Sequence, residues 1–145
     1  MLACTPSAYK HTFCPFTGKY SSAEDVPAGR QRSRLFSNKR PQQRHGEEGQ
    51  EEATFHAIAK MKWCAEKAGS TLTHASLVWL LEQNGVTSVL MGARNNTQLA
   101  SNLECLDTEV DPIALDLLGD AGRAVLEGLG TNLDPYERDE FTRIK

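Results

Sequence analysis

An α/β fold is predicted for this chain, and three observations predict it. Apolar residues recur at helical spacing from residue 47 onward. Val86 to Met91 is a short, largely β-branched and apolar run that directly follows a helix terminator, and helix signals resume after it. A buried strand bounded by helices implies a parallel sheet, since parallel strands need helical crossovers on their faces. The chain has 145 residues, 39% hydrophobic and 24% charged, which is enough for one domain with its own core.

Residues 1–46 show no useful helical or strand periodicity and are rich in Ser, Pro, Gly, Arg and Gln, so they read as an irregular or disordered segment. Within them lies a basic run, Arg30, Arg32, Arg34, Lys39, Arg40 and Arg44, interrupted by Leu35 and Phe36 as bulky apolar residues. It reads as a solvated loop, with a phosphate or nucleic-acid contact as the sharper alternative.

From Glu47 the pattern becomes helical. Phe55, Ile58, Met61, Lys62 and Ala65 recur at helical spacing, with acidic residues at the start and Lys60, Lys62 and Lys67 toward the end, as the helix dipole favours. Ala68-Gly69 ends this helix. A second helix is predicted with Thr71 or Thr73 as N-cap, the stripe Leu72, Ser76, Leu77, Leu80 and Leu81, and Asn84-Gly85 as terminator. The strand Val86 to Met91 follows, then a small-residue loop from Gly92 to Thr97 and a helix from about Thr97 to Cys105. The last helix opens with Asp111 as N-cap and Pro112 at its first position, and runs through Ile113, Leu117, Leu118, Ala121 and Val125 toward Gly128.

The formal charge of −3 gives no general argument for nucleic acid or an anionic membrane as partner. No apolar run approaches the roughly 20 residues that span a bilayer, and there is no contiguous signal-peptide core at the N-terminus, so a cytoplasmic protein without membrane insertion is expected. Cys4, Cys14, Cys64 and Cys105 are scattered without a C-x-x-C pair and read as reduced thiols. His45, His56 and His74 lie at no metal-ligand spacing, and no metal site is predicted. Trp63 and Trp79, on separate helices, read as packing residues.

The chemistry concentrates between Val86 and Asn102. A strand feeding a Gly-Ala-Arg loop that opens a helix is suited to an anion: amide groups at a helix start point outward, Gly92 admits a phosphate close to the main chain, and Arg94 adds a charged fork. The run Gly85-Val86-Thr87-Ser88-Val89-Leu90-Met91-Gly92-Ala93-Arg94-Asn95-Asn96-Thr97-Gln98-Leu99-Ala100-Ser101-Asn102-Leu103 resembles the segment that closes the barrel in aldo-keto reductases. Thr71 to Leu81 is similar to that family's penultimate helix, and Phe16-Thr17-Gly18-Lys19-Tyr20 to its loop after the seventh strand. Leu129-Gly130-Thr131-Asn132 with Asp134-Pro135 resembles the tail of bacterial-type members and of the potassium-channel β subunits.

The resemblance implies the C-terminal portion of a (β/α)₈ barrel, incomplete because a full barrel takes about 250 residues, with residues 47–145 as its oxidoreductase part. It implies NADP(H) as cofactor and hydride transfer to a small-molecule carbonyl substrate. Carried over by position, Gly92, Ala93 and Arg94 match the loop on the 2′-phosphate, and Gln98 and Asn102 the helix facing the adenosine. Nothing aligns with the family's catalytic Asp, Tyr, Lys and His, so no catalytic residue is assigned. Where the family usually has Glu before that Asn, this chain has Ser101. Met1-Leu2-Ala3-Cys4 resembles a run that directly precedes the Thr-Gly-Lys loop in many relatives, but Thr5 to Pro15 intervene, as an insertion or an incomplete gene model would produce. The alternative to an enzyme piece is a non-catalytic regulatory or interaction protein of the potassium-channel β-subunit kind, with a protein partner or an oligomer.

Overall fold

The computed structural model describes residues 17–131. Among these the order is a 3-10 turn at Ala28–Arg30, then α1 (Glu51–Lys67), α2 (Leu72–Leu81), α3 (Asn96–Leu103) running into a second 3-10 turn at Glu104–Asp107, and α4 (Pro112–Leu129). No strand forms among the described residues. The architecture is α1 packed along α4, with α2 against both and α3 joined to α2 through the second 3-10 turn.

Local chemistry sets most helix ends. The Thr71 hydroxyl accepts the His74 backbone N–H at 3.1 Å, and Asp111 Oδ1 accepts that of Ile113 at 2.9 Å with Pro112 at the first helical position. At the end of α1, Gly69 has φ +69°, its N–H bonds to the Glu66 carbonyl, and the Ser70 N–H reaches back to the Ala65 carbonyl. That crossed pair is a Schellman motif, in which a left-handed glycine lets the last carbonyls find donors.

The buried stripe of α1 is Thr54, Ala57, Ile58, Met61, Cys64 and Ala65, spaced to make one face. It meets Ala114, Leu115, Leu118, Ala121 and Val125 of α4. Gly122 places no side chain in the seam, and a Cβ there would sit 3.2 Å from Met61 Cε. Two expected members of the α4 stripe, Ile113 and Leu117, face solvent instead at 69% and 38% exposure. The seam follows Ala114 and Leu115, one step around the helix. Trp79 packs against the core beside Gly119 as expected, whereas Trp63 points away from the seam, 57% exposed, with Lys67 Nζ 5.8 Å from its ring centre.

Residues 17–46 are irregular apart from the first 3-10 turn, and they are packed. Ala23, Val26 and Phe36 belong to the core, Phe36 only 1% exposed and edge-on to Phe55 at 6.5 Å. Burying a side chain of this size stabilises by about 1.5–3 kcal/mol. The basic run is therefore not a uniformly solvated loop. Arg34 is 6% exposed; its Nε donates to Glu47 Oε1 at 2.9 Å and its Nη2 to the Leu129 carbonyl at 2.6 Å. Arg40 forks onto Glu51 with two bonds of 2.6 Å and reaches Glu24 at 2.9 Å. Pairing with carboxylates and a helix-end carbonyl is what lets these guanidinium groups leave water.

That packing also explains why α1 begins at Glu51 and not at Glu47. The Asn38 N–H donates to the Glu47 carbonyl and the Gln50 N–H to the Leu35 carbonyl, so residues 47–50 are held alongside 35–38 before the helix can start. Gly49, at φ +82°, lies so close to the Phe36 backbone that a Cβ would fall 2.4 Å from its carbonyl carbon. Only glycine fits there.

The expected strand Val86 to Met91 is the main departure. Residues 87–93 make no backbone-to-backbone hydrogen bond to any described residue, and Leu90 is 77% exposed. A strand exists only through a neighbour's ladder, and no second strand is present among the described residues to supply one. The pattern is apolar and β-branched, but its burial as a strand requires a partner that the described residues do not contain. Leu99, Leu103 and Leu106 are also exposed, at 42%, 46% and 66%.

Candidate functional site

The predicted site residues come together at the start of α3. Asn95 caps the helix, its Oδ1 accepting the Gln98 N–H at 2.8 Å, and the Gln98 side-chain oxygen accepts the Arg94 backbone N–H at 3.0 Å. These two bonds knit the loop and the first turn into one unit, close to a capping box in which the Gln reaches one residue further back. The Asn-x-x-Gln spacing of Asn95 and Gln98 is a sequence signal for this cap that the expectation of a helix from about Thr97 does not use.

Gly92 is buried, and its carbonyl accepts a 3.4 Å bond from the Asn102 side chain, itself 7% exposed. Asn102 thus braces the loop from beneath, and Gln98 spends its oxygen on Arg94. Sequence position alone assigns both residues to the ligand side.

What remains outward is a short arc of donors. The Asn96 and Thr97 backbone N–H groups find no acceptor among the described residues, as the first turn of a helix requires. The guanidinium of the exposed Arg94 makes no hydrogen bond or ion pair to any described residue. Helix-start amides next to an exposed guanidinium, neither with a partner among the described residues, favour an oxyanion over any cation.

One neighbour was not legible in the sequence. His74 of α2 stands with Nε2 3.5 Å from Ser101 Oγ on α3. The two residues are 27 positions apart, and only the approach of α2 to the second 3-10 turn and α3 brings them together. The Thr-Gly-Lys loop also meets α2: Gly18, at φ +58°, rests against Leu72, while the Tyr20 hydroxyl accepts from Arg30 Nη1 at 3.0 Å.

Cys64 and Cys105 are buried free thiols, and burial pushes the Cys105 thiol up from its ordinary range. Among the described residues no three His, Cys, Asp or Glu side chains form a metal-binding group, and no helix is long and apolar enough to cross a membrane. Cys4, Cys14, the Met1 to Cys4 run, Phe16 and the tail from Asn132 through Pro135 lie outside the described residues.

Among known families, the aldo/keto reductase family matches residues 16–118. The chain belongs to the aldo/keto reductase family, a family of oxidoreductases built on a (β/α)₈ barrel and using NAD(P)H. No curated protein matches the chain.

Proposed function

We propose that residues 92–98 hold the 2′-phosphate end of NADP(H). The observation that carries this is the exposed Arg94 guanidinium, without a partner among the described residues, just ahead of a helix start whose Asn96 and Thr97 amides find no acceptor among them. The residues present fit that group by the kind of donor they offer: a phosphate monoester takes a guanidinium fork and the amides of a helix start. Gln98 and Asn102 then act by fixing the loop, through the Arg94 amide and the Gly92 carbonyl.

When bound, the cofactor supplies the hydride for reduction of a carbonyl substrate. This chain's part in that chemistry is to hold and orient the adenosine end. No residue matches the family's proton-donating set, so the isolated chain binds without turning over.

The experiment titrates the 145-residue chain with adenosine 2′,5′-bisphosphate and with adenosine 5′-phosphate. Arg94→Ala is expected to weaken the bisphosphate by about 1.5–3 kcal/mol, the usual loss for a charge-assisted hydrogen bond, and to leave the monophosphate nearly unchanged. The same preparation consumes no NADPH with a panel of aldehydes. Equal losses for both nucleotides, or steady turnover that survives re-purification, would overturn the proposal.

A further inference from the structure

We infer that Asn84 is a self-modification site, at which the main-chain nitrogen of Gly85 closes on the Asn84 side chain in the folded protein and converts it to aspartate and isoaspartate.

The chemistry needs only water and hydroxide. Hydroxide takes the Gly85 amide proton, and the nitrogen attacks Asn84 Cγ. A C–N bond forms, the side-chain nitrogen leaves as ammonia, and a five-membered succinimide results. Water then opens the ring. Attack at Cγ restores the main chain and leaves an aspartate side chain, whereas attack at the main-chain carbonyl carbon routes the chain through Cγ as isoaspartate. One water enters, one ammonia leaves, and nothing is oxidised or reduced.

Three features of the fold bring these conditions together. The approach is open: Asn84 is the one asparagine in the sequence followed by glycine, and nothing lies within 4 Å of where a Gly85 Cβ would stand. The nitrogen is uncommitted. The Gln83 and Val86 N–H groups donate to the Leu80 and Gln83 carbonyls, but that of Gly85 has no acceptor among the described residues, so losing its proton breaks no hydrogen bond to them. The main chain has room to pucker. α2 has already ended at Leu81, Asn84 and Gly85 are exposed, and residues 87–93 beyond them can take up the extra main-chain carbon of isoaspartate without breaking a backbone bond to any described residue.

The other described asparagines lack these conditions. Asn38 donates to the Gly46 carbonyl at 2.7 Å, Asn95 caps α3 through its side-chain oxygen, and Asn96 and Asn102 lie within α3, where the helical main chain holds Cγ away from the next nitrogen. Each is followed by a residue with a side chain.

The test incubates the full chain in water labelled with heavy oxygen, at neutral and at mildly alkaline pH, with and without urea, and maps its peptides by mass spectrometry. Asn84 in the folded chain is expected to take up the label faster than Asn38, Asn95, Asn96 or Asn102 by at least about tenfold, a barrier lower by about 1.4 kcal/mol. Its rate should rise with pH, give both isomers, and fall about tenfold in Gly85→Ala. In urea the other four should speed up while Asn84 hardly changes, because the fold does not restrain it. Folded Asn84 reacting no faster than Asn95, a Gly85→Ala chain reacting as fast as wild type, or a large acceleration of Asn84 by urea would overturn the inference. The converted chain should keep its helical circular dichroism, and its loss would show that residues 87–93 do not absorb the longer link.

Discussion

Arg34 and Leu129, 95 positions apart, are joined by a 2.6 Å hydrogen bond from the guanidinium to the last carbonyl of α4. The same side chain holds Glu47, so one buried cation ties the irregular N-terminal segment to the end of the chain's longest helix. Replacing it by Ala leaves the helix-end carbonyl without its donor and Glu47, 40% exposed, without its cation. Arg34→Ala should lower unfolding free energy by about 2–3 kcal/mol, read as a shift in the urea midpoint. A shift under about 0.5 kcal/mol would show that the clasp contributes nothing net.

Acid should loosen the same region. Hydrogen bonding from Arg40 holds the Glu51 carboxyl below its ordinary range, opposed by burial and helped by the Ser37 amide. Because the folded pKa lies below the unfolded value of about 4.3, the stability this pair contributes is complete above that pH and is lost as pH falls through the folded pKa. Glu51→Gln is expected to be less stable at neutral pH by about 1–2 kcal/mol and to show a shallower stability loss below pH 4.5. Parallel curves for the two proteins from neutral pH to pH 3 would contradict the assignment. Arg40, charged throughout, has its own pKa raised by Glu51 and does not titrate in this window.

Two glycines of equal φ separate backbone strain from steric clash. Gly49 and Gly85 both have φ +82°, but a Cβ at Gly49 meets the Phe36 backbone while one at Gly85 meets nothing within 4 Å. Gly85→Ala should cost only the left-handed penalty, about 1 kcal/mol, whereas Gly49→Ala must also displace the main chain at Phe36 and should cost at least twice as much. Thermal unfolding of the two variants decides it, and equal losses would mean that the 35–38 and 47–50 segments can part freely.

The sequence was most informative where structure is set within a few residues. Thr71, Asp111-Pro112 and Ala68-Gly69 mark helix ends through bonds spanning at most five positions, so their chemistry is visible in the chain itself. The candidate site was legible in part: Gly92, Ala93 and Arg94 do form a loop at a helix start. Whether Asn102 turns to a ligand or to Gly92 depends on how the loop folds back, which spacing does not record. The burial of Phe36 and Arg34 and the meeting of His74 with Ser101 depend on contacts between distant segments. Val86 to Met91 failed as a strand for the complementary reason, since its pattern states a need for neighbours but not their presence.

The hydrogen-bond poverty of residues 87–93 has a kinetic consequence. Amides at Thr87 to Ala93 have no carbonyl to leave among the described residues, so their hydrogens should exchange with solvent from the folded molecule, whereas those near Ala65 and Leu118, wholly inside the α1 and α4 seam, wait for larger openings. The stretch leading to Gly92 and Arg94 can then change its path without breaking a backbone hydrogen bond to any described residue. Capture of a phosphate there would be registered first as a slowing of local exchange, long before any change in the helices.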